Sequence, residues 1–334
     1  MSVEFGKNIK VRVFGESHAP EIGVEVEGFP KGEAIDIEKL QAFMDRRKPG
    51  NAISSTKRRE PDVPEITSGF KEGVTDGKLF RAVIKNVDRK SSDYENIKDV
   101  PRPGHADYTA RVKYGPDYDP TGGGPFSGRM TAPLCAAGAA ALQILERRGV
   151  KITARVVSIG GAAEPEDMEE QIRMAAAEGD SVGGVIECAA EGVPAGLGGP
   201  MTDGIESAIA AAVFGIPAVK GIEFGAGFSS AAMRGSQNND PFYVDSEDGK
   251  IKTVTNNCGG ILGGISDGMP IVFRVAVKPT PSISMEQDSV SLSKMENVKL
   301  SIKGRHDSCI VPRAVPVVEA VTALSILDIM EGEK

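Results

Sequence analysis

The stretch MTAPLCAAGAAALQILERRG, residues 130–149, decides the fold because it is the most strongly helical segment of the chain. Its many alanines are small enough for close packing inside a core. Arg147, Arg148 and Gly149 form a C-terminal signal, in which cations meet the negative end of the helix dipole and glycine ends the helix. The stretch therefore predicts a helix buried in the core.

Outward from this helix, short runs alternate apolar and polar residues, and longer runs place apolar residues at helical spacing. In residues 36–47, the apolar side chains share one face and Asp36 is placed to cap the helix. The predicted strands cover 8–15, 22–29, 78–87, 150–161, 182–193 and 269–279, and the other predicted helices cover 36–47, 164–179, 202–215 and 314–331. Several strands follow one another as hairpin-like pairs, which favours α+β layers over a doubly wound parallel sheet. No repeat or low-complexity linker interrupts the chain, so one domain over residues 1–334 is expected.

The composition narrows the class of protein. The chain has 334 residues, with 39 Lys and Arg against 47 Asp and Glu, and the net charge of −8 argues against a general nucleic-acid or anionic-membrane binder. Its four cysteines form no CxxC pair, so no disulfide scaffold or zinc knuckle is indicated. The N-terminus lacks the apolar core of a signal peptide, and the most apolar stretch, 131–145, is shorter than the roughly 20 residues that span a bilayer. We therefore expect a cytoplasmic protein.

A basic segment is the strongest physical signal of function. Residues 46–59, RRKPGNAISSTKRR, hold six positive charges and no acid in a chain that is acidic overall. We expect residues 48–57 to form a mobile basic loop able to close over a multiply charged anion. A solvated surface loop or a weak nucleic-acid patch is the alternative, although no aromatic residue is interleaved as stacking on bases would require.

A glycine-rich segment, GGGPFSGRMTA at 122–132, precedes the alanine-rich helix. Glycines, a hydroxyl at Ser127 and a cation at Arg129 beside a helix N-terminus suit phosphate binding, because free amides and the positive dipole end face the anion. The segment is neither a Walker loop nor a GxGxxG fingerprint. A tight structural turn is the competing interpretation.

The three histidines, His18, His105 and His306, all stand beside glycine, serine or charged residues rather than on an apolar face. Imidazoles flanked by cations and phosphate-binding glycines suit proton donation to a phosphate or to an electron-rich ring. A metal site built from His105, Asp107, His306 and Asp307 is a rival use, but its spacing matches no known ligand pattern, so no metal is expected. A serine hydrolase is weaker still, because GESHA lacks the last glycine of a GxSxG elbow.

Together, these segments and several others resemble the chorismate synthase family, in order, from about residue 6 to residue 320. The matching segments are GESHAPEIGVEVEGFP (15–30), RRKPG (46–50), RREPDVPEITSG (58–69), RPGHADYTARVKYG (102–115), GGGPFSGRMTA (122–132), AVKGIEFGAGF (218–228), GSQNND (235–240), GGILGGISDG (259–268), KPTPSI (278–283) and GRHDSCIVPRAVPVVEA (304–320).

The resemblance implies a reaction, a cofactor and an assembly. The reaction is the anti-1,4-elimination of phosphate from 5-enolpyruvylshikimate-3-phosphate, which gives chorismate in the last step of the shikimate pathway. It requires reduced FMN although no net oxidation occurs, and an external flavin reductase is the expected source of reduced flavin, with NADPH-linked reduction left open. The implied fold is an α+β layered sandwich with a helical layer between antiparallel β-sheets, assembled as a homotetramer.

The resemblance also implies roles for single residues. His18 corresponds to the histidine that protonates the departing phosphate, His105 to the one that protonates reduced flavin, and Asp307 to the acid that helps remove a flavin proton. Implied substrate-binding residues are Ser17, Arg47, Arg59, Arg102, Arg129 and Arg305. Implied FMN-binding residues are Ser127, Pro217, Ala218, Gly263, Lys278, Pro279, Thr280, Pro281, Ser282 and Arg305.

The sequence departs from the family pattern at four positions. Ala19 follows His18 where glycine is usual, and Pro125 and Phe126 replace a common arginine and serine. Ile53 stands where many members carry a second basic residue of the loop, which leaves less support for NADPH use. Pro125 and Phe126 leave open a second class, a flavin- or anion-binding protein without turnover. A metal-dependent phosphohydrolase is a third option.

Overall fold

The computed structural model describes residues 3–48, 60–87, 98–119, 121–302 and 307–333. Short 3-10 turns at Thr121–Phe126 and Gly128–Met130 lead into the alanine-rich helix. The helices are α1 (Ile37–Arg47), α2 (Asp107–Tyr114), α3 (Thr131–Arg147), α4 (Pro165–Glu178), α5 (Ile205–Phe214), α6 (Gly235–Asn238) and α7 (Val311–Gly332).

The strands form two larger antiparallel sheets and several two-stranded hairpins. The strands are β1 (Val3–Phe5), β2 (Lys10–Gly15), β3 (Glu21–Glu27), β4 (Pro64–Ser68), β5 (Phe70–Lys71), β6 (Val74–Thr75), β7 (Phe80–Lys85), β8 (Lys151–Ile159), β9 (Gly184–Glu191), β10 (Val219–Phe224), β11 (Phe242–Val244), β12 (Ile251–Thr253), β13 (Ile261–Leu262), β14 (Ile265–Ser266), β15 (Ile271–Val277), β16 (Gln287–Ser291) and β17 (Glu296–Leu300).

The first sheet has the strand order β1-β2-β3-β7-β4 and the second has the order β10-β15-β9-β8. Neighbouring strands in both sheets run antiparallel, for example Val24 opposite Ala82 in the first and Val275 opposite Ile186 in the second. Antiparallel sheets combined with long helices make this an α+β fold, so the predicted fold class is confirmed at that level.

Helices α3 and α7 occupy the centre of the core. They pack against each other, α3 also contacts β3 and β7 of the first sheet, and α7 contacts β8 and β9 of the second. Their closest approach is at Gly138, where a Cβ atom would overlap Ala320. The alanine-rich sequence therefore works as predicted, since small side chains let two buried helices lie unusually close.

The long periodic segments fold as the sequence predicts. Helix α1 begins where Asp36 accepts hydrogen bonds from the backbone of Glu38 and Lys39, at 2.9 and 3.1 Å. Short elements are not among the predictions, notably α2, β10 and the β16–β17 hairpin, whose alternation of polar and apolar residues is weak. In the described parts of the chain, no helix is both long enough and apolar enough to cross a bilayer.

Candidate functional site

Two of the three histidines lie against one glycine turn. Gly122, Gly123 and Gly124 all have positive φ angles, of 63°, 79° and 50°. A Cβ atom on Gly122 would overlap the ring of His18, and one on Gly123 would lie 3.3 Å from Nε2 of His105. The absence of side chains on this turn therefore lets both imidazoles approach the same stretch of backbone.

His105 belongs to a buried cluster at the start of α2. Its Nδ1 lies 2.6 Å from Oδ1 of Asp107, and Arg102 donates to the same carboxylate through Nε at 2.7 Å and Nη2 at 2.8 Å. Nη2 of Arg102 is also 3.0 Å from Nδ1 of His105, but a nitrogen that donates to a carboxylate cannot accept from a guanidinium. The shorter carboxylate contact decides the tautomer, so Nδ1 carries the hydrogen and Nε2 faces the glycine turn.

Asp107 is the fixed anion of this cluster. Burial by itself raises the pKa of the carboxyl, but hydrogen bonds from Arg102 and His105 more than offset it, so the pKa of Asp107 lies well below its usual range. The carboxylate therefore stays ionised, orients the imidazole and stabilises positive charge on it.

The segment that the sequence predicts to bind flavin lies beside this cluster. Nζ of Lys278 donates to the carbonyl oxygen of Gly104 at 2.5 Å, and Ser282 accepts from Nη1 of Arg102 at 3.1 Å. Pro281 lies against Gly104. The backbone amide of Lys278 donates to the carbonyl oxygen of Ala218 at 2.9 Å, so Ala218 and its neighbour Pro217 reach the same place.

Asp307 is tied to this segment from the other side. Its carbonyl oxygen accepts from Oγ1 of Thr280 at 2.8 Å, and its carboxylate accepts from Nη1 of Arg313 at 2.8 Å. Arg313 also donates through Nε to the carbonyl oxygen of Arg47 at 3.0 Å. A continuous set of contacts therefore joins Asp307 to the segment beside His105 and to the arginine cluster described next.

Arg47 and Arg129 share one buried carboxylate, Asp62. Nη2 of Arg47 donates to Oδ2 at 2.6 Å and Nη1 of Arg129 donates to Oδ1, while Nε of Arg129 donates to Asn86 at 2.9 Å. Nη1 of Arg47 donates to the hydroxyl of Thr131 at 3.1 Å. Two of the five arginines that the resemblance assigns to substrate are therefore held in place by one shared acid.

Burial and the neighbouring charges have opposite effects on the pKa of Asp62. Burial alone raises the pKa of Asp62, yet the guanidinium charges of Arg47 and Arg129 outweigh it, so the pKa of Asp62 lies below its usual range. Within the described residues, Nε of Arg47 and Nη2 of Arg129 are buried without a hydrogen-bond acceptor. Nη2 of Arg129 lies 3.6 Å from Oε2 of Glu60, which is an ion pair but longer than a hydrogen bond, so both N–H groups can still donate to a ligand.

Two predicted hydroxyls also face the glycine turn. Ser17 is 1% exposed, its amide donates to the carbonyl oxygen of Gly124 at 3.4 Å, and its Oγ has no hydrogen-bond partner among the described residues. Ser127 accepts from the amide of Arg129 at 3.3 Å and caps the turn before α3.

Gly263 lies in the β13–β14 hairpin, whose next residue, Gly264, lies against Gly199 and Gly204 near the N-terminal end of α5. Ala218 follows the opposite end of that helix, and the flavin contact of Gly263 stays a prediction. Outside the described residues lie Arg59, Arg305 and His306. The predicted basic loop also lies outside them, except for Lys48.

Three residues at the site are absent from the sequence-based assignment, namely Asp62, Tyr118 and Arg313. Asp62 is the last acid of the motif RREPD, so a carboxylate directly after a basic run was the available signal. Among the described residues, no group of three or more His, Cys, Asp or Glu side chains could hold a metal ion.

Known proteins match this chain over nearly its whole length. The family model described as chorismate synthase matches residues 9–330. The chorismate synthase of Dehalococcoides mccartyi is 46% identical over 353 residues, covering 98% of this chain and 96% of the relative. Those of Thermococcus kodakarensis and Archaeoglobus fulgidus are each 48% identical, covering 97% and 98% of this chain and 96% of each relative.

A solved structure is similar over the same extent. The crystal structure of a chorismate synthase matches with a TM-score of 0.75 and 27% sequence identity, and the match covers 98% of this chain and 93% of that one. Since family model, relatives and solved structure all match over nearly the whole length, this chain belongs to the chorismate synthase family.

Proposed function

We propose that the protein is a lyase that eliminates phosphate from 5-enolpyruvylshikimate-3-phosphate in an anti-1,4 sense to give chorismate, in the last step of the shikimate pathway. Family membership along the whole chain supports this reaction. The observation that carries it is the placement of His18 and His105 against consecutive glycines of one turn, with Arg47 and Arg129 held on a shared carboxylate.

The residues present fit a reduced FMN cofactor, which supplies electron density to the substrate when bound. Lys278 offers a cation, and the hydroxyl groups of Ser127 and Ser282 each accept one hydrogen bond but donate none among the described residues. We propose that these groups, with the backbone from Ala218 and Thr280, hold the flavin and its phosphate beside His105. Ala218 takes a φ of 72°, which turns the chain sharply into this place.

The chain's own groups then divide the work. We propose that Nε2 of His105 exchanges a proton next to the glycine turn, while Asp107 keeps the ring oriented and balances its charge. His18, on the neighbouring glycine, protonates the departing phosphate. The carboxylate of Asp307, which Arg313 holds by a hydrogen bond, accepts a proton.

We assign binding of the anionic substrate to the buried arginines. We propose that Nε of Arg47 and Nη2 of Arg129 donate to substrate oxygens, and that Ser17 and Arg102 also bind the substrate. Asp62 and Glu60 already face the two positive charges of this pair, so further cations are needed for a substrate with two carboxylates and a phosphate. Arg59 and Arg305, by resemblance, supply them.

The test of the reaction is an anaerobic phosphate-release assay with photoreduced FMN and 5-enolpyruvylshikimate-3-phosphate. Release with reduced FMN and none with oxidised FMN is the expected result. Flavin binding without phosphate release would instead identify a binding protein without turnover, the class to which Pro125 and Phe126 point. Loss of activity on adding a chelator would indicate a metal-dependent phosphohydrolase.

A second measurement concerns the source of reduced flavin. We propose that an external reductase supplies it in the cytoplasm. Chorismate should then form aerobically with FMN and NADPH only when a flavin reductase is added. Formation with NADPH alone would show that the protein reduces its own flavin.

We propose that the chain forms one domain, a layered sandwich in which α3 and α7 separate the two antiparallel sheets, and that copies assemble as a homotetramer. The contacts of α3 with β3 and of α7 with β9, within one core, support the layering. Phe242, Val244 and Ile251 of the β11–β12 hairpin are 64%, 69% and 66% exposed, which supports burial against another copy. Light scattering should give four times the chain mass, and a monomer at micromolar concentration would contradict the assembly.

A further inference from the structure

The glycine turn carries a third ring besides the two histidines. A Cβ atom on Gly124 would lie 2.9 Å from the hydroxyl oxygen of Tyr118. In sequence order, therefore, Gly122 lies against His18, Gly123 against His105 and Gly124 against Tyr118. Three successive residues without side chains make room for three side chains that end in a group able to exchange or donate a hydrogen.

The hydroxyl of Tyr118 is buried and has no hydrogen-bond partner in the described parts of the chain. A buried hydroxyl without a partner costs about 1–3 kcal/mol, so such groups call for a ligand that completes them. The hydroxyl of Ser17, whose amide contacts Gly124, is in the same state. Two hydroxyls without a hydrogen-bond partner thus belong to residues that contact the same glycine.

The Tyr118 hydroxyl keeps its hydrogen and can donate it to a ligand. Burial, with smaller contributions from the charges of Glu16 and Asp107, raises the pKa of Tyr118 to about 12. Its ring is fixed by contact with Tyr114 at a centroid distance of 5.7 Å. The following residue, Asp119, accepts from the amide of Thr121 at 2.9 Å and anchors the segment to the turn.

The position of Tyr118 favours the substrate over the flavin. Lys278 and Pro281 of the proposed flavin segment contact Gly104, on the His105 side of the turn. Tyr118 contacts Gly124, the residue that also receives the Ser17 amide, and Ser17 adjoins His18. Resting on the proposed function, we propose that Tyr118 is a substrate-binding residue whose hydroxyl donates a hydrogen bond to a phosphate oxygen of the substrate.

The test replaces only the hydroxyl, by Tyr118→Phe, with Tyr114→Phe as the matched control. Loss of one hydrogen bond to an anion should lower kcat/KM for the substrate about tenfold and leave the affinity for reduced FMN unchanged. The affinity of the flavin-free protein for inorganic phosphate, measured by calorimetry, should fall by a similar factor. Thermal stability without ligands should be unchanged or higher, because the variant removes an uncompleted polar group.

Each other result overturns the proposal. Wild-type kcat/KM and phosphate affinity in Tyr118→Phe would show that the hydroxyl contacts no anion. A fall in FMN affinity alone would assign the hydroxyl to the flavin. A marked loss of stability, or failure to fold, would show a structural role, since phenylalanine keeps the shape of the ring. If the wild-type protein releases no phosphate at all, the proposed reaction fails, and the inorganic phosphate titration alone decides on Tyr118.

Discussion

Asp62 and Asp107 are both buried carboxylates that hold arginine side chains, but the third group in each cluster differs. Asp62 binds the guanidinium groups of Arg47 and Arg129, neither of which exchanges protons at working pH. Asp107 binds one guanidinium, from Arg102, and one imidazole, from His105. The first cluster can only place charge, whereas the second can also move a proton. The same acid therefore serves two purposes according to its partner.

The difference predicts that the Asp62 cluster matters most for stability. Asp62→Asn keeps the shape of the side chain but leaves the buried Arg47 without its carboxylate and leaves Arg129 with only Glu60, 3.6 Å away. We expect the free energy of unfolding to fall by about 3–5 kcal/mol, as measured by urea denaturation. Asp203→Asn, at the exposed ion pair with Lys7, is the control and should change stability little. An Asp62→Asn protein as stable as the wild type would show that the cluster is not held by charge.

The His105 cluster should matter most for chemistry. His105→Ala removes the group that exchanges a proton, so kcat with saturating reduced FMN should fall about 100-fold. Stability should change far less than in Asp62→Asn, because Arg102 still pairs with Asp107 when the imidazole is removed. Thr109→Ala, on the exposed side of α2, is the matched control. A kcat within threefold of the wild type would remove His105 from the mechanism.

A substitution in the core tests whether stability and catalytic activity can be changed independently in this protein. In Gly138→Ala, the new Cβ would overlap Ala320 on α7, and the two helices must move apart. Overpacking of this kind should lower the free energy of unfolding by about 1–3 kcal/mol. Gly235→Ala, where a Cβ would meet no atom within 4 Å, is the control.

The Gly138→Ala enzyme should keep the wild-type kcat at a temperature where it remains folded, because neither carboxylate cluster touches the contact at Gly138. A large fall in kcat would mean that the packing of α3 against α7 also sets the geometry of the site at the start of α3.

The sequence predicts this architecture better than it predicts the two carboxylate clusters. Periodicity and caps are local, so α1 with its Asp36 cap and the buried α3 follow from neighbouring residues. The pairing of Arg47 with Asp62 joins a helix to a segment without periodicity, and no local pattern encodes it. Tyr118 is hidden for the same reason, because its burial depends on a turn that becomes visible only in three dimensions.

The family resemblance supplies part of what periodicity lacks. It marks His18, His105 and Asp307 by motif. The described contacts place the first two on one turn and tie the third, through Thr280, to the segment that contacts Gly104. It does not supply the groups that orient them. Asp107 stands in the quoted motif RPGHAD, but the motif alone does not distinguish a carboxylate that orients His105 from one that binds a metal. The 2.6 Å contact with Nδ1 of His105 identifies Asp107 as the orienting carboxylate.

The smallest expected effect concerns Asp107 itself. Asp107→Asn removes the charge that balances the imidazole and orients it, so kcat should fall about tenfold, less than in His105→Ala, which removes the ring. Because the pKa of Asp107 is lower in the folded protein than the roughly 3.9 of an unfolded chain, its stabilising contribution is complete above that value. The contribution is lost as the pH falls further toward the folded pKa.

Wild type and Asp107→Asn should therefore differ most in unfolding free energy near neutral pH, and the gap should narrow as urea denaturation is repeated from pH 5 down to about pH 2. A gap that is constant with pH would mean that the carboxylate charge does not stabilise the fold. In that case Asp107 would act through its shape and its hydrogen bonds alone. Asp62 and Asp107 would then differ in how each acid is solvated rather than in which partner it holds.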